Sequence, residues 1–174
     1  EPGSGIITVS RISRKKRFDL MLRSFAELVR LHPEAPFHFD LVGAPITTDD
    51  AVYERELRQL VDESGLADRV NFCGHQSQAG VAARYAGTFI HLNLSQTGSM
   101  DKTVMEALAA GCPVLTSNEA FFDELRSFPD FLIMADDPAS VAARLWRLYE
   151  QRTAIDRAQL RSMIVGRHDL PGYV

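Results

Sequence analysis

Short β-branched runs alternate with longer helical patterns along this chain, and that alternation narrows the fold more than any other feature. Gly5-Ile6-Ile7-Thr8-Val9-Ser10 has strand length. Residues 18–31 then place Leu20, Leu22, Phe25, Leu28 and Val29 on one helical face, and Pro33 stops the helix. The same pairing recurs. A strand over 37–42 precedes a helix over 51–64 with Gly65 as its C-cap glycine. A strand over 70–73 precedes a small-residue helix over 79–86. A strand over 89–94 precedes a helix over 101–110, closed by Gly111. Strands over 113–115 and 131–134 follow. A helix then starts at Asp136 or Asp137 with Pro138 in its first turn and runs to about residue 151; a polar helix over 153–165 ends the pattern. About six strands alternating with helices predict an α/β fold: a Rossmann-like, doubly wound parallel sheet with helices on both faces. Continuously apolar strands agree, because both faces of such strands are buried.

Composition sets limits on function. The 174 residues are 45% hydrophobic and carry a net charge of -4, which fits one globular domain and opposes a general nucleic-acid binder. Two cysteines, Cys73 and Cys112, exclude a disulfide scaffold. No His/Cys/Asp cluster has metal-ligand spacing, so no metal and no cofactor are expected. No apolar run reaches the ~18 residues that span a bilayer. A cytoplasmic protein is therefore expected, peripheral at a membrane at most. The chain opens without Met, residues 1–4 read as a linker, and residues 1–174 read as one domain excised from something longer.

Doubly wound sheets bind ligands at the C-terminal strand ends, where the strand order reverses. After the first strand, residues 11–17 (Arg11-Ile12-Ser13-Arg14-Lys15-Lys16-Arg17) hold five cations in seven positions. That loop is either a solvated helix lead-in or an anion site. After the fourth strand, Ser95-Gln96-Thr97-Gly98-Ser99-Met100-Asp101-Lys102-Thr103 forms a small polar loop opening directly into a helix, whose amides favour an anion. Ser99 or Asp101 is equally suited to cap that helix. Neither loop carries a Walker or dinucleotide glycine signature. Glu106 is a carboxylate among Val104, Met105, Ala107 and Leu108, costly unless paired or at an edge. It is a surface position or an acceptor for hydroxyls such as a ribose diol. His38 and His91 alternate with apolar neighbours and read as packed, as does Cys112.

Taken together these segments resemble the retaining GT-B glycosyltransferases of family four. Val9-Ser10-Arg11-Ile12 with Lys16 resembles their G-R-L-x-x-x-K-G motif. Phe39-Asp40-Leu41-Val42-Gly43 resembles L-x-I-V-G, and residues 65–74, Gly65-Leu66-Ala67-Asp68-Arg69-Val70-Asn71-Phe72-Cys73-Gly74, resemble G-L-x-D-R-V-x-F-x-G. Tyr85-Ala86 matches an aromatic-small pair. Glu106-Ala107-Leu108-Ala109-Ala110-Gly111-Cys112-Pro113-Val114 resembles E-A-M-A-x-G-x-P-V. The matches run in order from about residue 5 to 134.

The resemblance implies the C-terminal, donor-binding lobe of an enzyme that transfers a sugar with retention. The donor would be a sugar linked to UDP, GDP or ADP. Arg11 and Lys16 match the pair that neutralises the leaving diphosphate, assisted by the amides of Lys102 and Thr103, and Glu106 matches the carboxylate on the ribose. The backbone of Phe72, Cys73 and Gly74, with Gly43 nearby, would border the base. An N-terminal acceptor-binding lobe would be missing, the isolated domain would be inactive, and any membrane association would run through that absent half. Two positions depart from the family. Its usual pair of glutamates, seven residues apart, would put the first at residue 98, where this chain has Gly98. Asp101 or another group would then supply the sugar contact. Ala120-Phe121 stands where a glycine pair is common before Glu124. The alternatives are a non-catalytic nucleotide- or phosphate-binding domain of the same fold, and a receiver-like regulatory domain. The receiver reading needs an acidic first-strand loop, and this loop is basic.

Overall fold

The computed structural model describes residues 3–95, 98–134 and 136–165. Five strands form one sheet: β1 (Gly5–Val9), β2 (His38–Val42), β3 (Val70–Gly74), β4 (Ile90–Asn93) and β5 (Val114–Thr116). Their order is β3-β2-β1-β4-β5, and every pairing is parallel. The chain therefore steps outward from β1 to β3, crosses back to the other side of β1, and steps outward again. The strand order reverses between β1 and β4.

Six helices cover the sheet: α1 (Phe18–Leu31), α2 (Thr48–Glu63), α3 (Gln78–Gly87), α4 (Lys102–Ala109), α5 (Pro138–Glu150) and α6 (Arg157–Val165). α1 packs against α2 and α5, while α4 packs against α3 and α6. This is the expected two-faced α/β sandwich. Its core is continuous, with Phe25 and Phe39 rings 5.5 Å apart between α1 and β2. No helix among the described residues is long and apolar enough to cross a membrane.

Local signals set several boundaries. α2 begins three residues earlier than its apolar periodicity predicts. Thr47 and Asp50 form a reciprocal capping box there, with side chain and backbone satisfying each other. Gly65 and Gly111 both take positive φ immediately after helix ends. Leu66 N–H bonds Val61 O and Cys112 N–H bonds Ala107 O, closing each helix in the left-handed manner that glycine permits. α5 begins at Pro138 behind an Asp137 cap.

Two expectations need correction. Residues 131–134 are not a sixth strand. Pro129–Phe131 winds into a 3-10 turn, with Phe128 and Phe131 rings stacked at 5.3 Å. Only Leu132 makes a bridge, to Thr116 at the end of a three-residue β5. Proline and ring stacking hold the segment in a turn, and a short neighbour offers little ladder to extend. His38 is exposed rather than packed, because it is the first residue of β2 and sits at the sheet's rim. His91, at the centre of the sheet, is fully buried as expected.

Candidate functional site

β1 and β2 stay paired to their ends and beyond, through Ser10 N–H to Val42 O at 3.0 Å and Ile12 N–H to Ala44 O at 3.2 Å. The β1–β4 register instead covers only Ile6↔Ile90 and Ile7↔His91. Past that point the two central strands part, and a crevice opens at the strand-order reversal. The face of β4 that borders it is polar at alternate positions: His91, Asn93 and, just beyond the strand, Ser95.

One ion pair spans the crevice. Lys16, from a 3-10 turn (Arg14–Lys16) after β1, places Nζ 2.6 Å from Oδ1 of Asp101, which precedes α4. Both side chains are largely covered, at 19% and 15% exposure. The other carboxylate oxygen accepts from Asn93 Nδ2 at 3.0 Å and from the Ser95 hydroxyl. Thr116 Oγ1 donates to Asn93 Oδ1 at 3.1 Å, tying β5 into the same network. Burial raises the Asp101 carboxyl pKa, but hydrogen bonds from Lys16, Ser95 and Asn93 and the lysine's charge overcome it, leaving the group below the ordinary carboxylate range.

The sign of the pH dependence follows. A depressed folded pKa gives stability that is fully present above the unfolded value of 3.8 and lost as pH falls through the lower folded value. Asp101→Asn is expected to destabilise the domain at neutral pH by about 2 kcal/mol, the scale of charge-assisted hydrogen bonds. In urea melts, the gap between variant and parent should close as pH drops below 3.8. A gap that stays constant into acid would refute the network.

Asp101 occupies the N-cap position of α4, yet its side chain makes no capping hydrogen bond. Its carboxylate is turned inward, so capping by Asp101 is not its role. Asp101 thus gives the N-terminal amides of α4 no side-chain cap, and a helix end whose amides are free attracts an anion. Tyr85 pins this end in place by donating to Thr103 O at 3.1 Å. Glu106 lies one turn along α4, only 7% exposed, with its carboxylate 3.2 Å from Lys102 Nζ. Below the network, His91 has no hydrogen-bond partner on either ring nitrogen among the described residues, and burial pushes its pKa down to about 3, so the ring is neutral.

The basic loop divides by role. Arg14 makes a two-pronged contact to Glu56 at 2.8 and 2.7 Å and lies over the Tyr53 ring. Arg17 pairs with Asp136 at 2.7 Å. Arg14 and Arg17 are thus paired with partners away from the crevice, whereas Lys16 is paired across it. Arg11 is exposed and lines an opening of about 370 Å³ over the ends of β1 to β3, together with Gly43, Ile46, His75 and Gln76. Lys16 is turned the other way, into the crevice.

The remaining candidates are distributed around these features. Gly43 has φ of +142°, and its N–H bonds Gly74 O at 2.9 Å. Phe72 lies beneath the Arg58 guanidinium, 4.1 Å from the ring centre. Burial, then nearby Asp40, raises the Cys73 thiol pKa. His75 and Gln76, which follow Phe72, Cys73 and Gly74, are the residues that line the opening. Gly98 borders a second opening of about 300 Å³, at the β4–β5 side, with Ser117, Glu119 and Met134. Ser99 and Met100 are exposed on the connecting loop, and Asn118 Nδ2 donates to Ser99 O at 2.8 Å. Cys112 is buried and its thiol is pushed up to about 12, which leaves it a packing residue. Among the described residues no group of three or more His, Cys, Asp or Glu could hold a metal ion.

The sequence placed Ser95 in the polar loop after the fourth strand, and Gln96 and Thr97 of that loop lie outside the described residues, but Asn93, Ser117 and Glu119 were not singled out. For Asn93 a signal existed: polar residues at alternate positions in an otherwise apolar central strand. Ser117 and Glu119 carry no motif.

Comparison with known proteins bears on the family and the fold. The family model described as Glycosyl transferases group 1 matches residues 3–151. D-inositol 3-phosphate glycosyltransferase of Rhodococcus jostii (strain RHA1) is 30% identical over 123 residues, covering 68% of this chain and 26% of that protein. Mannosylfructose-phosphate synthase of Agrobacterium fabrum (strain C58) is 24% identical over 115 residues, covering 66% of this chain and 25% of that protein. The chain thus spans about a quarter of the length of these curated relatives. Among solved structures, Anabaena HepE in complex with UDP-glucose superposes with a TM-score of 0.81 at 20% identity, over 96% of this chain and 45% of that one. The pneumococcal O-GlcNAc transferase GtfA in complex with UDP and GlcNAc gives 0.78 at 21% identity, over 94% and 32%. The two-faced parallel sheet is therefore the Rossmann-like fold of GT-B glycosyltransferases, and the chain belongs to the glycosyl transferases group 1 family.

Proposed function

We propose that this domain binds a nucleoside diphosphate sugar and serves as the donor-binding lobe of a glycosyltransferase that retains anomeric configuration. The carrying observation is Lys16, held across the β1–β4 crevice against the start of α4, where the N-cap residue Asp101 turns its carboxylate to the lysine and makes no capping hydrogen bond. An ammonium has three donors. Asp101 orients Lys16 through one, and the others suit phosphate oxygens. The opening beside Arg11, Gly43 and His75 suits the nucleoside, and Glu106 suits the ribose hydroxyls. Relatives named as glycosyltransferases and neighbours solved with UDP support this reading. Retention of configuration rests on the motif resemblance.

The chemistry follows from where charge develops. As the bond from sugar to diphosphate breaks, negative charge grows on the leaving diphosphate. Fixed cations and helix amides aimed at it stabilise the transition state more than the ground state. Positioning an acceptor requires a second wall, so turnover belongs to the longer protein.

Isothermal titration with UDP, GDP and ADP tests the reading: one of them should bind, and no binding by any at millimolar concentration would overturn it. Glu106→Gln should weaken the preferred nucleoside diphosphate roughly tenfold, about 1.4 kcal/mol, and leave inorganic pyrophosphate unaffected. Equal losses for both ligands would remove Glu106 from the ribose contact.

A further inference from the structure

Lys102 stands where a positive charge is least favoured. It is the first residue of α4, at the end of the helix where the aligned peptide dipoles oppose a cation. Asp101 is the neighbour whose carboxylate could offset that charge, and it is turned to Lys16 instead. Lys102 reaches Glu106, one turn further on, with Nζ 3.2 Å from Oε1. That contact is weak for two reasons. The lysine precedes the glutamate at i,i+4 spacing, the poorer orientation on a helix. Its side chain is also 75% exposed, so solvent screens the pair and breaking it costs little. Glu106 itself is buried, so the lysine is the partner that can leave. The ammonium moreover stands over an oxygen that the proposed ribose contact needs. A diol binds a carboxylate best through both oxygens, and Lys102 covers one of them.

We propose that Lys102 is a swinging phosphate cation of the donor site, which rests on Glu106 in the free domain and moves to the diphosphate when the ribose takes its place. The inference rests on the donor reading above and deepens it. A lysine is a compact charge with three donors on a flexible four-carbon stem, so different rotamers serve different partners. A diphosphate at the start of α4 removes the local conflict, because its negative charge faces the helix dipole and the lysine together. Two lysines then hold the diphosphate from the two sides of the crevice: Lys16 from the turn after β1, and Lys102 from α4. Lys16 is fixed by Asp101, whereas Lys102 moves. Its departure uncovers Glu106, so one side-chain movement readies the phosphate contact and the ribose contact.

Calorimetric titration with UDP, GDP, ADP and inorganic pyrophosphate, in the parent, Lys102→Met and Lys102→Arg, tests the movement. Lys102 is exposed, so both variants should keep the fold. In Lys102→Met, the affinities for the preferred nucleoside diphosphate and for pyrophosphate should both fall about fivefold, the scale of one partly screened contact to a charged group. Lys102→Arg keeps the charge and the reach and should recover most of that loss. The preferred nucleoside without phosphates should bind Lys102→Met at least as well as the parent, because Glu106 is already uncovered. If Lys102 serves only to neutralise Glu106, its removal leaves pyrophosphate affinity unchanged, and that result would overturn the proposal. An equal loss for the bare nucleoside would mark damage to the helix start and overturn it as well. A parent that binds none of the nucleoside diphosphates brings down the donor reading and this proposal with it. A parent that binds one, with Lys102→Met binding it equally well, brings down this proposal alone.

Discussion

Lys16→Ala is expected to lower the affinity for the preferred nucleoside diphosphate by roughly 10- to 100-fold, the loss of one or two hydrogen bonds between charged groups. Lys16 is the cation that the fold commits to the crevice. Its neighbours Arg14 and Arg17 are held by Glu56 and Asp136. Lys15→Ala, an exposed change on the same turn, should alter affinity little, because screened surface charges contribute weakly. The contrast between adjacent lysines separates a placed donor from general basicity. Removing Lys16 also leaves the Asp101 carboxylate short of a partner, so Lys16→Met, which keeps the aliphatic stem, serves as the second variant. Asn93 and Ser95 still hold Asp101 in both variants. Calorimetric affinities for the parent and all three variants check the expectation; equal losses at Lys15 and Lys16 would contradict it.

Gly43→Ala is expected to have the largest effect on stability, more than about 4 kcal/mol, or to prevent folding. Gly43 directly follows β2 with φ of +142°, a region that L-residues rarely enter. A Cβ there would lie 1.8 Å from Ser10 O, inside the backbone of the strand beside it. No rotamer relieves that clash, because the obstacle is main chain. Relief requires β1 and β2 to part at their C-terminal ends, where Ser10 N–H bonds Val42 O and the nucleoside opening begins. Thermal melting should fall by about 10 °C or more, at roughly 2–4 °C per kcal/mol for a domain of this size. A melting temperature within two or three degrees of the parent would mean that Gly43 is not so constrained.

Much of the architecture was legible in the sequence because its signals are local. The apolar face of α1, the glycine stops at Gly65 and Gly111 and the Asp137-Pro138 start each act through their own neighbours. The failures depended on partners distant in sequence. Residues 131–134 have strand composition, but a strand needs a ladder, and the three residues of β5 provide one bridge. The site divides in the same way. Lys16, Glu106 and the loop into α4 stood out as candidates through motif spacing. The inward turn of Asp101 was not, since a residue at an N-cap position ordinarily caps. Only the joint presence of Lys16, Asn93 and Ser95 draws its carboxylate inward.

The proposed donor site lodges a diphosphate between Lys16 and the start of α4, where Asp101 makes no side-chain cap. Amide chemical shifts report directly on that helix end, because an anion bound there must contact the N–H groups of Lys102 and Thr103. In a titration of the labelled domain with UDP, GDP, ADP and inorganic pyrophosphate, the account predicts that the largest saturable shifts occur at Lys102 and Thr103, with accompanying shifts at Lys16, and that Lys16→Ala weakens the response at all three positions. Saturable shifts centred instead on Arg14 and Lys15, or a response at Lys102 and Thr103 that Lys16→Ala leaves unchanged, would contradict it.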